Sequence, residues 1–96
     1  MYEVVKSRQA KDDLKGIWHY SHNKWGEDKA TDYLLQLNTG IQGLISNPKL
    51  GKTRELIRPG YRSFQINRHV IYYRLNDEKI AIVRVLHERM SPDENL

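Results

Sequence analysis

Hydrophobic residues recur every three or four positions through the first half of the chain, which is the spacing of one helix face. An opening strand is predicted from Tyr2 to Lys6, and Ser7 then offers a cap for a helix from about Arg8 to Lys24. The inward face of this helix comprises Ala10, Leu14, Ile17, Trp18, Ser21 and Trp25. The pattern therefore predicts an amphipathic helix directly after a short strand.

A second helix is predicted to follow a tight turn at Gly26. The acids Glu27 and Asp28 favour the positive end of its dipole, and Asn47-Pro48 stops it. Its apolar face comprises Ala30, Tyr33, Leu34, Leu37, Ile41, Leu44 and Ile45. Two such helices form an antiparallel hairpin. We expect its glycines, Gly40 and Gly43, to permit close approach to a neighbouring element.

After Pro48 the apolar period changes to two, which is typical of β-strands. The segment 49–60 is predicted to be a loop with a short extended piece at 55–57. Short turns then separate three strand-like runs, which indicates an antiparallel meander. These runs are Tyr61–Ile66, His69–Leu75 and Lys79–His87.

The predicted fold class is α+β: an N-terminal strand and an antiparallel helix hairpin packed on one face of a small antiparallel β-sheet. At this length, residues 1–96 form one domain, and the polar segment 88–96 is expected to be a flexible tail. We expect the core between hairpin and sheet to contain Leu14, Trp18, Leu34, Leu37, Ile41, Phe64, Ile71 and Val83.

The last predicted strand is apolar on both sides. Simple alternation places Ile80, Ile82 and Leu86 on one face and Ala81, Val83 and Val85 on the other. A helix hairpin covers only one face of a small sheet. The second face is therefore predicted to bind a partner chain; a homodimer or a part-exposed face are the alternatives.

The chain carries 16 Lys and Arg against 12 Asp and Glu, a net charge of +4. Positive charge is concentrated between Lys49 and Arg74, where Glu55 is the single acid. This segment favours an acidic partner: nucleic acid, an acidic protein surface or an acidic peptide that folds on binding. The absence of cysteine excludes disulfides and thiolate chemistry. No apolar run approaches the roughly 18 residues of a membrane span, so a cytoplasmic protein with no membrane contact is expected.

Candidate catalytic groups are few. His19 and His22 are adjacent on the first helix but lack further metal ligands nearby, so no metal or cofactor is expected. A metal-free ribonuclease needs cations at a phosphate together with an acid and a base, and strand arginines with His87 could supply part of that set. The acidic segment that follows Met90 opposes phosphate binding there.

The order and spacing of several short motifs resemble the ParE branch of the RelE/ParE toxin superfamily over nearly the whole chain. The motif residues are Ala10, Asp13, Leu14, Ile17, Tyr20, Trp25-Gly26, Ala30, Tyr33, Asn47-Pro48, Gly51, Gly60–Arg62, His69, Ile71, Tyr73-Arg74 and Ile82–Met90.

The resemblance implies the toxin of a type II toxin–antitoxin system. Such a toxin would inhibit DNA gyrase by protein binding, without catalysis, and would be neutralised by a ParD-like antitoxin in a hetero-oligomer. No specific DNA binding by this chain alone is expected. Two alternatives remain open: a RelE-like, ribosome-dependent mRNA endoribonuclease, and a ParE-fold binding module with another target.

Two sets of site residues follow. The target-binding set lies at the end of the last strand and comprises Arg84, His87, Arg89 and Met90. The antitoxin-binding set lies on the basic segment and the second sheet face and comprises Arg58, Arg62, Tyr72 and Arg74. The competing interpretation is that Arg84 pairs with an acid of the fold and that Met90 covers the edge of the core.

Overall fold

Two helices lie on one face of a five-stranded sheet in the computed structural model, which describes residues 1–96. The elements are β1 (Glu3–Lys6), α1 (Arg8–Trp25), α2 (Glu27–Gly43), β2 (Lys52–Thr53), β3 (Tyr61–Ile66), β4 (His69–Asn76), β5 (Lys79–His87) and α3 (Pro92–Asn95). The predicted α+β class and the hairpin-on-sheet architecture are confirmed. None of the helices combines the length and apolarity that a membrane-spanning helix requires.

Local signals set both ends of α1 and the start of α2, whereas α2 ends at Gly43, before the predicted stop at Asn47-Pro48. The Ser7 hydroxyl accepts a hydrogen bond from the Ala10 amide at 3.0 Å, and its Oγ donates to the Val83 carbonyl at 2.7 Å. Gly26 has a φ of 93°, where an L side chain is unfavourable, and its N–H bonds the His22 carbonyl at 2.9 Å. Gly26 therefore ends α1 and begins α2, which makes the hairpin turn tight.

The strand order is β1-β5-β4-β3-β2. Strands β3, β4 and β5 form the predicted antiparallel meander, and β2, which was not predicted, pairs antiparallel with β3. Strand β1 runs parallel to β5 after the hairpin crossover. Asn67 and Asp77, with φ of 54° and 56°, form the two meander turns. Both residue types tolerate this left-handed conformation.

The extended piece predicted at 55–57 is wrong. The strand in this loop is β2, and the amides of Ile57 and Arg58 instead bond the Arg54 carbonyl at 3.0 Å each. These local bonds close a turn and leave the 55–57 backbone unable to pair in a ladder.

A β-bulge in β5 changes which side chains face the helices. Tyr73 is paired with Ile82 but Tyr72 with Arg84, so Val83 is an extra residue without a partner. Beyond the bulge the alternation reverses, and Val85 joins the core instead of Leu86. The prediction that Ile80, Ile82 and Leu86 share one face is therefore wrong for Leu86.

The core contains only some of the residues predicted for it, together with others that were not predicted. Leu14, Leu37, Ile41 and Ile71 are buried, as expected. Leu34 and Phe64 are half-buried and pack against the core, whereas half-buried Trp18 and Val83 lie outside it. Trp18 lies instead on the outer side of the hairpin, and Val83 is the bulged residue. The buried members that were not predicted are Ala10, Leu44, Tyr73, Ile80, Ile82 and Val85.

Tyr73 ties the α2–β2 loop to the sheet. Its hydroxyl donates to the Pro48 carbonyl and accepts from the Gly51 amide, both at 2.8 Å. A Cβ on Gly51 would lie 2.7 Å from this hydroxyl and 2.9 Å from the Ser63 carbonyl. Only glycine therefore fits at position 51.

The chain itself covers part of the second sheet face, so the prediction that this face needs a partner chain is wrong there. Ser63, Tyr72 and Leu86 are at most 5% exposed on that side. The segment that contains α3 returns over the sheet, where the Asn95 carbonyl accepts from Arg84 and the Leu96 carbonyl accepts from Arg58 at 2.9 Å. The flexibility of residues 88–96 stays a prediction.

Candidate protein-binding site

Arg84 joins α1, β5 and the C-terminal segment. Its Nε and Nη2 each donate to an Asp13 carboxylate oxygen at 2.8 Å, and its Nη1 donates to the Asn95 carbonyl. The hydrogen bonds to Asp13 raise the pKa of Arg84 above its ordinary value. Only 17% of the Arg84 side chain is exposed. These contacts favour the structural interpretation of Arg84 over direct contact with a target.

Asp13 also protects a sheet edge. Strand β1 pairs with β5 only as far as Ile82, so the following backbone of β5 has no neighbouring strand on that side. The Val85 amide there donates to Asp13 Oδ2 at 2.9 Å. The Asp13 carboxylate thus accepts hydrogen bonds from both the Val85 amide at the strand edge and the Arg84 guanidinium. Either group would be costly to bury without a partner.

The chain leaves β5 through a tight turn that presents Arg89 and Met90 to solvent. The Met90 amide bonds the His87 carbonyl at 2.9 Å, and the Arg89 amide bonds His87 Nδ1 at 3.2 Å. Met90 is 41% exposed, and the Arg89 side chain makes no hydrogen bond or ion pair. The turn therefore forms a short protrusion with one free cation and one flexible apolar side chain.

A histidine pair lies behind this turn. The His87 and His69 rings meet edge to face across β4 and β5, with centroids 5.3 Å apart. The Tyr33 hydroxyl is 2.6 Å from His69 Nδ1. Burial, with a smaller contribution from His87, lowers the pKa of His69 to about 4. His69 is therefore neutral at physiological pH.

Glu88 anchors the same turn from its other side. Its carboxylate accepts from Arg68 Nη1 at 2.9 Å and from Gln65 Nε2 at 2.7 Å, and these bonds lower the pKa of Glu88. The Glu88 amide also bonds the Arg68 carbonyl at 2.8 Å. The protrusion thus starts from a turn that is fixed to both the β3–β4 turn and the end of β5.

The structure does not bring the four predicted antitoxin-binding residues onto one surface. Arg62 donates to the Gly51 carbonyl at 2.9 Å, and its strand neighbour is Tyr73, which faces the helices. Tyr72 points to the opposite face and is 5% exposed, and burial raises its pKa. Arg58 bonds the Leu96 carbonyl, and Arg74 is exposed without a side-chain partner.

Sequence reasoning missed the roles of Asp13 and Tyr33. Asp13 lies beside Ala10, Leu14 and Ile17 on the inward face of α1, and an acid on such a face needs a buried partner. The sequence therefore indicated that Asp13 needs a buried partner, but it did not identify that partner. Tyr33 carried no comparable signal, because a tyrosine on an apolar helix face packs equally well without a polar partner. The histidines considered as metal ligands, His19 and His22, are both exposed.

Comparisons with known proteins agree on one family. Residues 4–92 match the family model described as the ParE toxin of type II toxin-antitoxin system, parDE. The chain is 41% identical over 91 residues to Toxin ParE1 of Mycobacterium tuberculosis, covering 94% of this chain and 93% of the relative. It is 39% identical over 90 residues to Toxin ParE1 of Caulobacter vibrioides, with the same coverage.

A solved structure described as a chromosomal ParDE TA system from P. aeruginosa shares the fold. Its TM-score is 0.80 at 22% identity, and the match covers 91% of this chain and 96% of that one. At this identity the likeness concerns the fold, which is the hairpin-on-sheet architecture described above.

Proposed function

The chain belongs to the ParE toxin family of type II toxin–antitoxin systems, and from that premise we propose that it inhibits DNA gyrase by binding it. The action is association without a catalytic step of its own. A ParD-like antitoxin neutralises it in a hetero-oligomer, and both act in the cytoplasm. The resemblance of nearly the whole chain to ParE toxins supports this proposal.

The observation that supports a binding site most directly is the protrusion after β5. The Arg89 side chain is exposed and makes no hydrogen bond or ion pair, and Met90 is 41% exposed, while Glu88 and His87 fix the turn that carries them. Arginine and methionine are enriched at protein interfaces, where a flexible apolar side chain can adapt to the partner. We assign target contact to Arg89 and Met90, with His87 holding the turn and Arg84 joining β5 to α1 and the C-terminal segment.

The antitoxin remains assigned to the basic segment and to the part of the second sheet face that the C-terminal segment does not cover. Arg58 and Arg74 are exposed there, and an acidic antitoxin segment would pair with them. Arg62 and Tyr72 are occupied within the fold and would take part only after local rearrangement. Replacing Arg58 and Arg74 by alanine should slow antitoxin association and reduce its salt dependence. Unchanged association kinetics would place the antitoxin elsewhere.

The test of the target is gyrase supercoiling in vitro. Purified protein should block supercoiling or trap cleaved DNA while leaving ribosome-bound mRNA intact. Cleavage of that mRNA at comparable concentration would favour the RelE-like alternative. If the protein neither inhibits gyrase nor cleaves the mRNA, a different target is favoured.

The test of the site is the double variant Arg89→Ala/Met90→Ala. It should keep a thermal stability near that of the parent and lose most gyrase inhibition, because both side chains are exposed and neither belongs to the core. The matched control is Lys79→Ala at the opposite end of β5, which should inhibit gyrase normally. A folded double variant of full potency would remove the protrusion from the interface.

A further inference from the structure

The Tyr33 hydroxyl on α2 reaches two residues of the sheet at once. Its oxygen lies 2.6 Å from His69 Nδ1 and accepts a hydrogen bond from the Arg68 amide at 3.2 Å. The Tyr33 and His69 rings also meet at an angle, with centroids 5.5 Å apart. Because Arg68 and His69 are consecutive, where the β3–β4 turn enters β4, one phenol group of the hairpin holds this turn.

The hydrogen-bonding capacity of the Tyr33 hydroxyl matches both neighbours. A phenol can donate one hydrogen bond while it accepts others, so accepting from Arg68 leaves its proton free for His69 Nδ1. His69 is able to accept that proton, since burial keeps its imidazole neutral at physiological pH. Phenylalanine at position 33 would keep the ring against the core but would leave both groups without this partner.

One branch of contacts runs from Tyr33 through Arg68 to Glu88. The Arg68 amide is held by Tyr33, while the Arg68 carbonyl accepts from the Glu88 amide at 2.8 Å and its guanidinium bonds the Glu88 carboxylate at 2.9 Å. The Arg68 side chain is 75% exposed, so solvent screens the ion pair. The backbone bonds on either side of Arg68 are therefore the stronger part of this branch.

A second branch runs from Tyr33 through His69 to His87. The two histidines are partners in the β4–β5 ladder, and the edge-to-face contact of their rings favours one mutual orientation. The His87 ring accepts from the Arg89 amide at 3.2 Å, and the His87 carbonyl accepts from the Met90 amide at 2.9 Å. The two branches thus end at the consecutive residues directly before Arg89.

From these contacts we infer that Tyr33 is a positioning residue for target binding. By holding Arg68 and His69, it fixes the backbone of the turn that presents Arg89 and Met90, and it does not touch the target itself. A turn that is ordered before association loses less conformational entropy on binding, so its order raises the affinity for the target. The inference rests on the proposed function for the identity of that target, and it gives helix α2 a part in a site formed at the end of β5.

The variant Tyr33→Phe tests the inference, because it removes the hydroxyl and keeps the ring. Amide hydrogen exchange, followed by NMR on isotope-labelled protein, should become about fivefold faster at Glu88 and Met90, which is the equilibrium effect of one ordinary hydrogen bond. The concentration that half-inhibits gyrase supercoiling should rise by a similar factor. The exchange measurement needs no gyrase, so it reports on the turn independently of the target.

Two further variants separate this role from a general loss of stability. Tyr73→Phe also removes a hydroxyl, one with two hydrogen bonds of 2.8 Å beside the α2–β2 loop. It should destabilise the fold at least as much in urea unfolding, yet leave the turn amides and gyrase inhibition as in the parent. His69→Gln interrupts only the second branch, so it should speed exchange at Met90 and leave Glu88 unchanged.

Unchanged exchange at the turn in Tyr33→Phe would overturn the inference, and so would equal acceleration in Tyr73→Phe, because the effect would then be global. Faster exchange with full gyrase inhibition would also overturn it, since the order of the turn would not matter to the target. If the parent itself fails to inhibit gyrase, the proposed function is contradicted, while the exchange data still show whether Tyr33 holds the turn. Should Tyr33→Phe not fold, His69→Gln decides by the same two measurements.

Discussion

Gly40 and Gly43 lie three residues apart on α2 and should respond oppositely to the same added methyl group. A Cβ at Gly43 meets no atom within 4 Å, whereas one at Gly40 overlaps Ile66 Cδ1 and lies 3.1 Å from Ile66 Cγ1. The expectation that both glycines permit close approach is therefore correct for Gly40 and wrong for Gly43.

The magnitudes follow from two opposing effects. Alanine in place of glycine stabilises a helix by up to about 1 kcal/mol, less near its end. Overpacking in a well-filled site costs about 1–3 kcal/mol. Gly43→Ala should therefore raise the free energy of unfolding by up to about 1 kcal/mol. Gly40→Ala should lower it by about 0–2 kcal/mol, because the helix gain offsets part of the clash.

A double-mutant cycle with Ile66→Val isolates the clash, since valine lacks the overlapping Cδ1. Urea unfolding of the single and double variants gives the coupling energy. We expect Gly40→Ala to become neutral or stabilising in the Ile66→Val background, with a coupling of about 1–3 kcal/mol. Gly43→Ala should behave identically in both backgrounds. The reasoning fails if Gly40→Ala stabilises the parent as much as Gly43→Ala, or if Ile66→Val leaves its effect unchanged.

Three further changes address the core, the ion pair and the histidine pair. Leu37→Ala should lower the free energy of unfolding by about 2–5 kcal/mol, because Leu37 is fully buried; a loss under about 1 kcal/mol in urea unfolding would contradict its core position. Asp13→Asn should lower the free energy of unfolding by about 3 kcal/mol, because it leaves Arg84 without its counter-charge. An unchanged urea midpoint would show that solvent already screens the pair. The folded-state pKa of His69 is about 4, below the ordinary 6.5, so its stabilising contribution is complete above pH 6.5 and is lost as the pH falls toward 4. Between about pH 7.5 and pH 5 the free energy of unfolding of the parent should fall by about 1 kcal/mol more than that of His69→Gln, after allowance for partial exposure. An equal fall in both proteins would mean that His69 titrates normally.

Much of the fold was predictable because its signals are local. The helix starts at Arg8 and Glu27 follow from a cap and a glycine turn, and the bounds of β3 and β5 match the predicted runs. The bulge was not predictable. Every residue from Ile80 to Val83 is apolar, so the alternation carries no mark of where its phase changes.

The candidate site was less predictable because its contacts join distant parts of the chain. Asp13 and Arg84 are 71 residues apart, and Tyr33 and His69 are 36 apart. The pattern showed that an acid lay on an inward helix face and that an arginine lay on a strand, but only the packing of α1 beside β5 makes them partners. Exposure of Arg89 and Met90 likewise depends on a turn that local sequence does not specify.

The parallel pairing of β1 with β5 has a consequence for how the chain is made. The first strand of the sequence has its only strand neighbour in the last, and β5 lies between β1 and β4. During translation the helix hairpin can form early from local contacts, but the sheet cannot close until β5 has left the ribosome. The Asp13–Arg84 pair forms at the same late stage. Nascent chains should therefore lack the fixed turn that carries Arg89 and Met90 until synthesis is nearly complete.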